Sequence, residues 1–384
     1  MKRFWIAAAL TLCLLGGAAF KGAAAEDVWM LAVNVGKGDA ILVGVEDTVF
    51  LVDTGYPYVR GKILTAMQYM GISRLTGVFI THTDKDHVGG LEWLSASEIP
   101  VDAWYASAKY METSEKKHPL AVAARSRGTE PQWLEAGDSV PIGTAALSVL
   151  APIEMATDKD DNNSLVLMLD TSEGRILLTG DIEIPAEEIL IDSGADLKCD
   201  VLKVANHADN DTTSEEFVQA ARPKAAVIST SSEEKPGTPS GKVIRRLQKI
   251  QAAVACTQDA GLGVLVRLSK GEPTVEMLDM KPKEWHVQIE TIEREDDRIV
   301  LSNKGTEAVN LSEWYLYSGR GDEMYVFPEV VIEPGATLSI GTLSTEGQAD
   351  LVWQDKKVIH QKKDDMLFLY DAYGFCVSQM NNGL

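Results

Sequence analysis

Residues 81–90 read Thr-His-Thr-Asp-Lys-Asp-His-Val-Gly-Gly, and no other segment limits the possible folds of this chain as strongly. The apolar run 76–80 before them predicts a buried strand. Four potential metal ligands follow within six residues: His82, Asp84, Asp86 and His87. Imidazole nitrogen and carboxylate oxygen together suit a divalent transition metal, Zn²⁺ first, with Mn²⁺ or Fe as alternatives. The segment therefore predicts a metal site at the end of a strand.

Three further apolar runs end in potential ligands. Asp53 follows the run 48–52, Asp181 follows 175–178 and a Thr-Gly pair, and Asn206-His207 follows 199–204. Each of these alone is ordinary, because Asp and Asn are common at turns and helix caps. Four strand ends that carry ligands in one chain favour a single shared site.

Short β-runs alternate with helical stretches between residues 28 and 280, which predicts an α/β layered fold. The helices are predicted over 59–70, 89–97, 184–191, 215–220 and 242–251. Beyond a boundary near 281–284 the helical pattern stops, and closely spaced β-runs predict an all-β sandwich. We therefore expect a first domain over 26–283 and a second over 285–384.

Residues 28–280 resemble the metallo-β-lactamase superfamily, whose hallmark is His-x-His-x-Asp-His. Asp84 replaces the second His, a variety similar to the hydrolase domain of ComEC-type competence proteins. The further matching segments are Val35-Gly36-Lys37-Gly38-Asp39-Ala40, Asp53-Thr54-Gly55, Asn163-Ser164-Leu165, Thr179-Gly180-Asp181-Ile182-Glu183 and Leu202-Lys203-Val204. The resemblance implies a four-layer αββα sandwich that binds one or two metal ions.

The same resemblance implies roles for individual residues. His82 and Asp84 would hold a first ion, Asp86 and His87 a second, and Asp181 would bridge them. The complete implied set of metal ligands is His82, Asp84, Asp86, His87, Asp181 and His207, with Asp86 and Asp181 as the catalytic carboxylates. The residues implied to orient ligands or to lie near the substrate are Asp53, Asn163, Lys203, Asn206 and Thr238. Asn206 and Thr238 stand where ComEC-like sequences have His, which leaves the number of ions open.

The C-terminal region resembles a lamin-tail domain. The resemblance rests on Ser302-Asn303-Lys304-Gly305, on the segment 309–314 that ends in Trp314, on Ile332-Glu333-Pro334-Gly335 and on Asp371-Ala372-Tyr373-Gly374. It implies an immunoglobulin-like sandwich that binds a partner, which the sequence does not identify. Trp314 is expected in the core of that sandwich.

The first 25 residues predict a secretory signal peptide. Lys2 and Arg3 precede an apolar stretch, and Ala23-Ala24-Ala25 supplies small residues for cleavage, although an uncleaved anchor is the alternative. Cleavage would remove three positive charges and take the net charge from −21 to −24. We expect a secreted, periplasmic or cell-envelope exterior protein without a membrane span after cleavage.

Two functions follow from these expectations. The first is an exported metal-dependent hydrolase, a phosphodiesterase or nuclease that uses a metal-bound water on nucleic acid or a nucleotide. The strongly acidic composition argues against broad, non-specific binding of nucleic acid and favours small phosphodiesters. The second is a weakened or inactive relative that acts as a binding module through its lamin-tail-like domain. Metal content would distinguish them.

Overall fold

The computed structural model describes residues 28–384 apart from 111–113, 158, 346 and 356. The predicted signal peptide lies outside the described residues. In the part of the chain that is described, no helix has both the length and the apolar character needed to cross a membrane.

The described residues of the N-terminal region form fifteen strands in two sheets. The strands are β1 (Val28–Val33), β2 (Ile41–Val45), β3 (Thr48–Val52), β4 (Gly77–Ile80), β5 (Trp104–Ser107), β6 (Gln132–Leu134), β7 (Ser139–Ile142), β8 (Ala145–Ala151), β9 (Val166–Thr171), β10 (Gly174–Leu178), β11 (Val201–Lys203), β12 (Ala225–Ile228), β13 (Ala253–Cys256), β14 (Gly263–Ser269) and β15 (Glu272–Leu278). The first sheet has the order β15-β14-β1-β2-β3-β4-β5-β6, and the second has the order β13-β12-β11-β10-β9-β8-β7.

Seven α-helices and several short 3₁₀ turns complete the described part of this region. They are α1 (Arg60–Tyr69), α2 (Lys85–Val88), α3 (Leu91–Ala96), α4 (Pro119–Ser126), α5 (Ile184–Asp192), α6 (Glu215–Ala221) and α7 (Gly241–Lys249). Apolar side chains of α1, α3 and α4 pack on the outer face of the first sheet, and those of α5, α6 and α7 pack on the second. Strands such as β4 are buried along their whole length because both faces are covered.

A third apolar core lies between the two sheets, where residues such as Phe50, Phe79 and Leu167 meet. Helices, sheet, sheet and helices therefore form four layers. The predicted αββα sandwich is confirmed. Sequence patterns did not indicate β5, β6, β7 or α4.

The C-terminal region is all-β apart from one short 3₁₀ turn among its described residues. Its strands are β16 (Val287–Glu293), β17 (Arg298–Asn303), β18 (Val309–Asn310), β19 (Tyr315–Ser318), β20 (Met324–Val326), β21 (Val331–Ile332), β22 (Thr337–Thr342), β23 (Leu351–Trp353), β24 (Met366–Tyr370) and β25 (Cys376–Asn381). Two four-stranded sheets, β16-β17-β22-β23 and β20-β19-β24-β25, enclose a core that contains Trp314. The predicted β-sandwich is confirmed.

The two regions contact each other beside the start of α1. The hydroxyl of Tyr315 donates to the carbonyl oxygen of Tyr58 at 2.7 Å, and the Tyr58 ring lies 5.2 Å from that of Tyr317. Lys62 places its ammonium 3.2 Å from the ring centre of Phe375. These contacts attach the β-sandwich to the segment that follows Asp53.

Candidate metal centre

Four strand ends bring the predicted ligands to one end of the αββα sandwich. β3 and β4 are parallel neighbours in one sheet, and β10 and β11 are parallel neighbours in the other. Asp53, His82, Asp181 and His207 follow these strands, and all four are buried. Parallel neighbours end at the same edge of a sheet, so the order of strands itself gathers these side chains. The two edges are joined by a hydrogen bond from Leu165 N to Thr81 O at 2.9 Å.

The single-turn helix α2 supplies two more predicted ligands. Asp86 and His87 are buried, whereas Asp84, just before the helix, is exposed. The helix is fixed because the carbonyl oxygen of His87 accepts hydrogen bonds from Thr54 N at 2.7 Å and Thr54 Oγ1 at 2.9 Å.

Asp53 orients one of the imidazoles. One carboxylate oxygen accepts from Thr81 N at 2.8 Å, and the other accepts from Thr81 Oγ1 at 2.7 Å and from His87 Nδ1 at 2.8 Å. Asp53 itself has φ near 60°, a left-handed conformation that is uncommon outside glycine. The carboxylate that holds Nδ1 leaves Nε2 of His87 facing the centre.

The other two imidazoles are held in the same manner. His82 Nδ1 lies 3.1 Å from Thr81 Oγ1 and 3.2 Å from Ser164 Oγ. His207 Nδ1 donates to the carbonyl oxygen of Ser229 at 2.9 Å. Fixing Nδ1 and freeing Nε2 is the usual arrangement around imidazoles that bind a metal.

The free nitrogens converge on Asp181. Its Oδ2 lies 3.3 Å from His87 Nε2 and 3.0 Å from His207 Nε2, and His207 Nε2 is also 3.4 Å from Asp86 Oδ2. Nε2 of His82, His87 and His207 and Oδ1 of Asp181 are buried without a hydrogen-bond partner in the described part of the chain. Buried polar atoms without partners are rare. Convergent imidazole nitrogens and carboxylate oxygens therefore fit a divalent transition metal.

Overlapping sets of ligands are available within this cluster. Ligand atoms lie within 4.8 Å of one another in the set His82, His87 and Asp181, in the set Asp86, His87 and His207, and in the set His82, Asp84 and Asp161. All six predicted ligands thus come together, with exposed Asp84 at the rim. Asp161 was not predicted as a ligand. The neighbouring acidic residues Asp160 and Asp161 were the only feature of the sequence that pointed to it.

Three other predicted residues have polar side-chain groups that are engaged in hydrogen bonds or an ion pair with residues other than the predicted ligands. The side-chain amide of Asn163 donates to Thr157 O at 3.3 Å and to Lys159 O at 2.9 Å, which closes the loop that carries Asp161. Thr238 Oγ1 accepts from Thr230 Oγ1 at 2.9 Å. Lys203 is buried, and its ammonium lies 2.6 Å from Asp39 Oδ2.

The loop after β11 has an unusual backbone. Asn206, His207 and Ala208 have φ values of 41°, 53° and 62°, three successive left-handed residues without a glycine. The ComEC-like pattern has Gly at the position of Ala208. The left-handed turn directs His207 inwards, and such outliers cluster at functional sites.

Electrostatics within the cluster favour the protonated forms of His87 and His207 and the ionised form of Asp181. Burial acts to lower the pKa of His87, but the charges of Asp181 and Asp53 outweigh it and raise the pKa well above its usual value. The pKa of His207 is likewise raised against burial, mainly by Asp181. Burial acts to raise the pKa of Asp181, but His207 and His87 hold it well below the usual range. Protons on His87 and His207 would therefore compete with a metal ion for these nitrogens.

We expect affinity for Zn²⁺ to rise with pH, by about tenfold per pH unit for each proton displaced. The raised pKa of His87 means that protonation stabilises the metal-free fold below about pH 6.5. This stabilising contribution is lost as pH rises through the pKa of His87 in the folded protein. Above that pKa, a metal ion no longer competes with a proton for the imidazole nitrogen. Competition titrations with a chromogenic chelator at several pH values, corrected for the chelator's own protonation, measure the slope.

Asp53→Asn provides the matched variant for this experiment. It removes a charge that raises the pKa of His87, so the pH dependence of metal affinity should shift to lower pH. A metal affinity that is independent of pH in the unmodified protein would contradict the electrostatic interpretation.

Comparison with known proteins identifies two matching family models and several related sequences. Residues 33–232 match the family model described as the Metallo-beta-lactamase superfamily, and residues 281–383 match that of the Lamin Tail Domain. ComE operon protein 3 of Bacillus subtilis is 28% identical over 251 residues, which cover 60% of this chain and 32% of that protein. Recombination protein 2 of Haemophilus influenzae is 26% identical over 276 residues, which cover 70% and 33%. The chain thus spans about a third of the length of these relatives.

A solved structure with a similar fold is the metallo-beta-lactamase fold protein YhfI of Bacillus subtilis. It aligns with a TM-score of 0.44 and 14% identity, over 63% of this chain and 100% of that chain.

Proposed function

The chain belongs to the metallo-β-lactamase superfamily, and on this premise we propose that it is a metal-dependent hydrolase of phosphodiester bonds. The observation that carries the proposal is the convergence of three buried, partnerless imidazole nitrogens on Asp181. Hydrolysis is the chemistry that such a cluster of nitrogen and oxygen ligands supports best.

The proposed role of each side chain follows from its contacts. The metal ligands would come from among His82, His87, His207, Asp86 and Asp181. A bound metal would act as a Lewis acid and lower the pKa of water. Asp181 and Asp86 would accept hydrogen bonds from the attacking water and so orient it. Asp53 would keep the imidazole of His87 in the correct tautomer through its 2.8 Å hydrogen bond.

The substrate proposal is a phosphodiester in nucleic acid or a nucleotide. It is supported by the relatives, one of which is named for recombination, a reaction of nucleic acid. The net charge of −21 disfavours long duplexes held by non-specific contacts and favours short or small phosphodiesters.

Export and a partner of the C-terminal domain are further parts of the proposal. Export is supported by the predicted signal peptide, and a partner by the match of residues 281–383 to the Lamin Tail Domain model. The β-sandwich already contacts the hydrolase-like region through Tyr315 and Tyr317, so a partner would bind another of its faces.

We expect the purified chain to contain at least one divalent metal ion and to hydrolyse bis(p-nitrophenyl) phosphate in the presence of Mn²⁺ or Zn²⁺. Elemental analysis and a colorimetric assay, before and after treatment with a chelator, measure both quantities. A content below about 0.2 ions per chain after metal-replete purification would contradict the proposal. Metal binding without turnover of any phosphodiester would instead favour the binding-module alternative.

A further inference from the structure

Lys37 lies on the loop between β1 and β2 and pairs with a predicted metal ligand. Its ammonium forms an ion pair with Asp86 Oδ2, and the two side chains are 20% and 7% exposed. The Lys37 backbone N–H donates to Glu234 Oε2 at 2.9 Å. Next to it, a Cβ on Gly38 would approach the carbonyl oxygen of Asp86 to 2.8 Å. Close backbone packing therefore keeps the lysine beside α2.

The oxygen that Lys37 contacts also faces His207. Asp86 Oδ2 is 3.4 Å from His207 Nε2, so these two atoms belong to the same set of potential ligands. An ion held by this oxygen would share it with an ammonium, and two cations a few ångströms apart repel each other strongly when water is excluded. Lys37 therefore weakens the Asp86 side of the centre as a site for a metal.

The other potential ligands include a set of three in which no carboxylate oxygen forms an ion pair with the Lys37 ammonium. In the described part of the chain, the ion pairs of Asp181 are with His87 and His207. His82, His87 and Asp181 offer two imidazole nitrogens and a carboxylate, all buried. This set can hold one ion without sharing an oxygen that is already ion-paired with the ammonium.

We propose that the Lys37 ammonium replaces a second metal ion at Asp86, so that the chain binds one divalent ion tightly, through His82, His87 and Asp181. The inference rests on the proposed metal-dependent function. It also accounts for Asn206 and Thr238, which stand where the ComEC-like pattern has imidazoles. If the Lys37 ammonium takes the place of a second metal ion, the centre needs fewer imidazole ligands.

Lys37→Gln, which removes the charge, tests this inference. The unmodified full chain should bind one equivalent of Zn²⁺ tightly, whereas Lys37→Gln should bind a second equivalent at least about tenfold more tightly than the unmodified chain does. Equilibrium dialysis with elemental analysis gives the stoichiometry. Titration with Co²⁺, followed by its visible absorption, reports the ligand field of each ion independently of activity.

Two variants serve as controls. Lys37→Arg keeps the charge and should retain a single tight ion. Lys85→Gln removes an exposed lysine next to Asp86 in the sequence, whose ammonium pairs with Asp322 at 2.6 Å, and should also behave as the unmodified chain.

Three outcomes would overturn the inference. The first is two ions of similar affinity in the unmodified chain, and the second is an unchanged stoichiometry and affinity in Lys37→Gln. The third is a second tight ion in Lys37→Arg, which would show that shape rather than charge matters. Failure of every variant to bind metal would overturn the proposed function as well, whereas the first three outcomes leave that function intact.

Discussion

Asp181→Asn should lower phosphodiester turnover at least about a hundredfold while the fold survives. Changes to residues that merely orient a metal ligand typically cost about 10–100-fold, so replacement of Asp181, a proposed direct ligand, should cost more. Asp181 is 3% exposed and lies within 3.3 Å of two imidazole nitrogens. Asn keeps the shape of the side chain but lacks the negative charge, and its amide nitrogen cannot bind a cation. Steady-state kinetics with a chromogenic phosphodiester and circular dichroism measure the two effects.

Asp209→Asn is the matched control for this change. Asp209 follows the same loop as His207 and is part-exposed, with its carboxylate paired to the ammonium of Lys235 at 2.5 Å. Loss of one carboxylate there should leave turnover within about twofold, because exposed ion pairs contribute little. Turnover by Asp181→Asn equal to that of the unmodified chain would refute the proposed centre.

The gathering of ligands was predictable because it follows from local sequence. An apolar run identifies a buried strand, and a polar residue directly after it lies at the edge of the sheet. This reasoning placed Asp53, His82, Asp181 and His207 together without knowledge of long-range contacts. The one-turn helix α2 was missed, because four residues are too few for a helical period to appear.

Pairs between distant segments were not predictable in the same way. Lys37 and Asp86 are 49 residues apart, and nothing in either segment indicates that one neutralises the other. Asp161 depends on a loop that Asn163 closes through backbone carbonyls. Such contacts arise from the packing of the loops, which a periodic pattern does not describe.

Some elements were missed for a different reason. β5 has four residues, and β6 has three with mixed burial, so neither provides enough positions for alternation to be recognised. Helix α4 spans eight residues, four of them buried, and lies in a stretch without another clear pattern. These elements obtain their stability from neighbours rather than from intrinsic propensity.

The largest expected effect on stability is at Lys203, which has 1% exposure. Its ammonium lies 2.6 Å from Asp39 Oδ2 and donates to Val204 O at 3.0 Å. Lys203→Met keeps the length of the side chain but removes the ammonium partner of the buried Asp39 carboxylate, whose remaining ion-pair contact is with His207 Nδ1 at 4.0 Å. Breaking one side of a buried ion pair typically costs about 3–5 kcal/mol in the free energy of unfolding. For a domain of this size the melting temperature should fall by about 6–20 °C.

A second substitution separates loss of charge balance from loss of packing. Asp39→Asn in the Lys203→Met background removes the unpaired charge and should recover most of the lost stability, because a neutral amide needs no counter-ion. Lys198→Met, at an exposed lysine in the segment just before β11, should leave the melting temperature unchanged. Thermal unfolding of the metal-free proteins avoids a contribution from ligand binding. If Lys203→Met unfolds at the same temperature as the unmodified chain, the ammonium does not compensate a buried charge, and the prediction made from the ion pair is wrong.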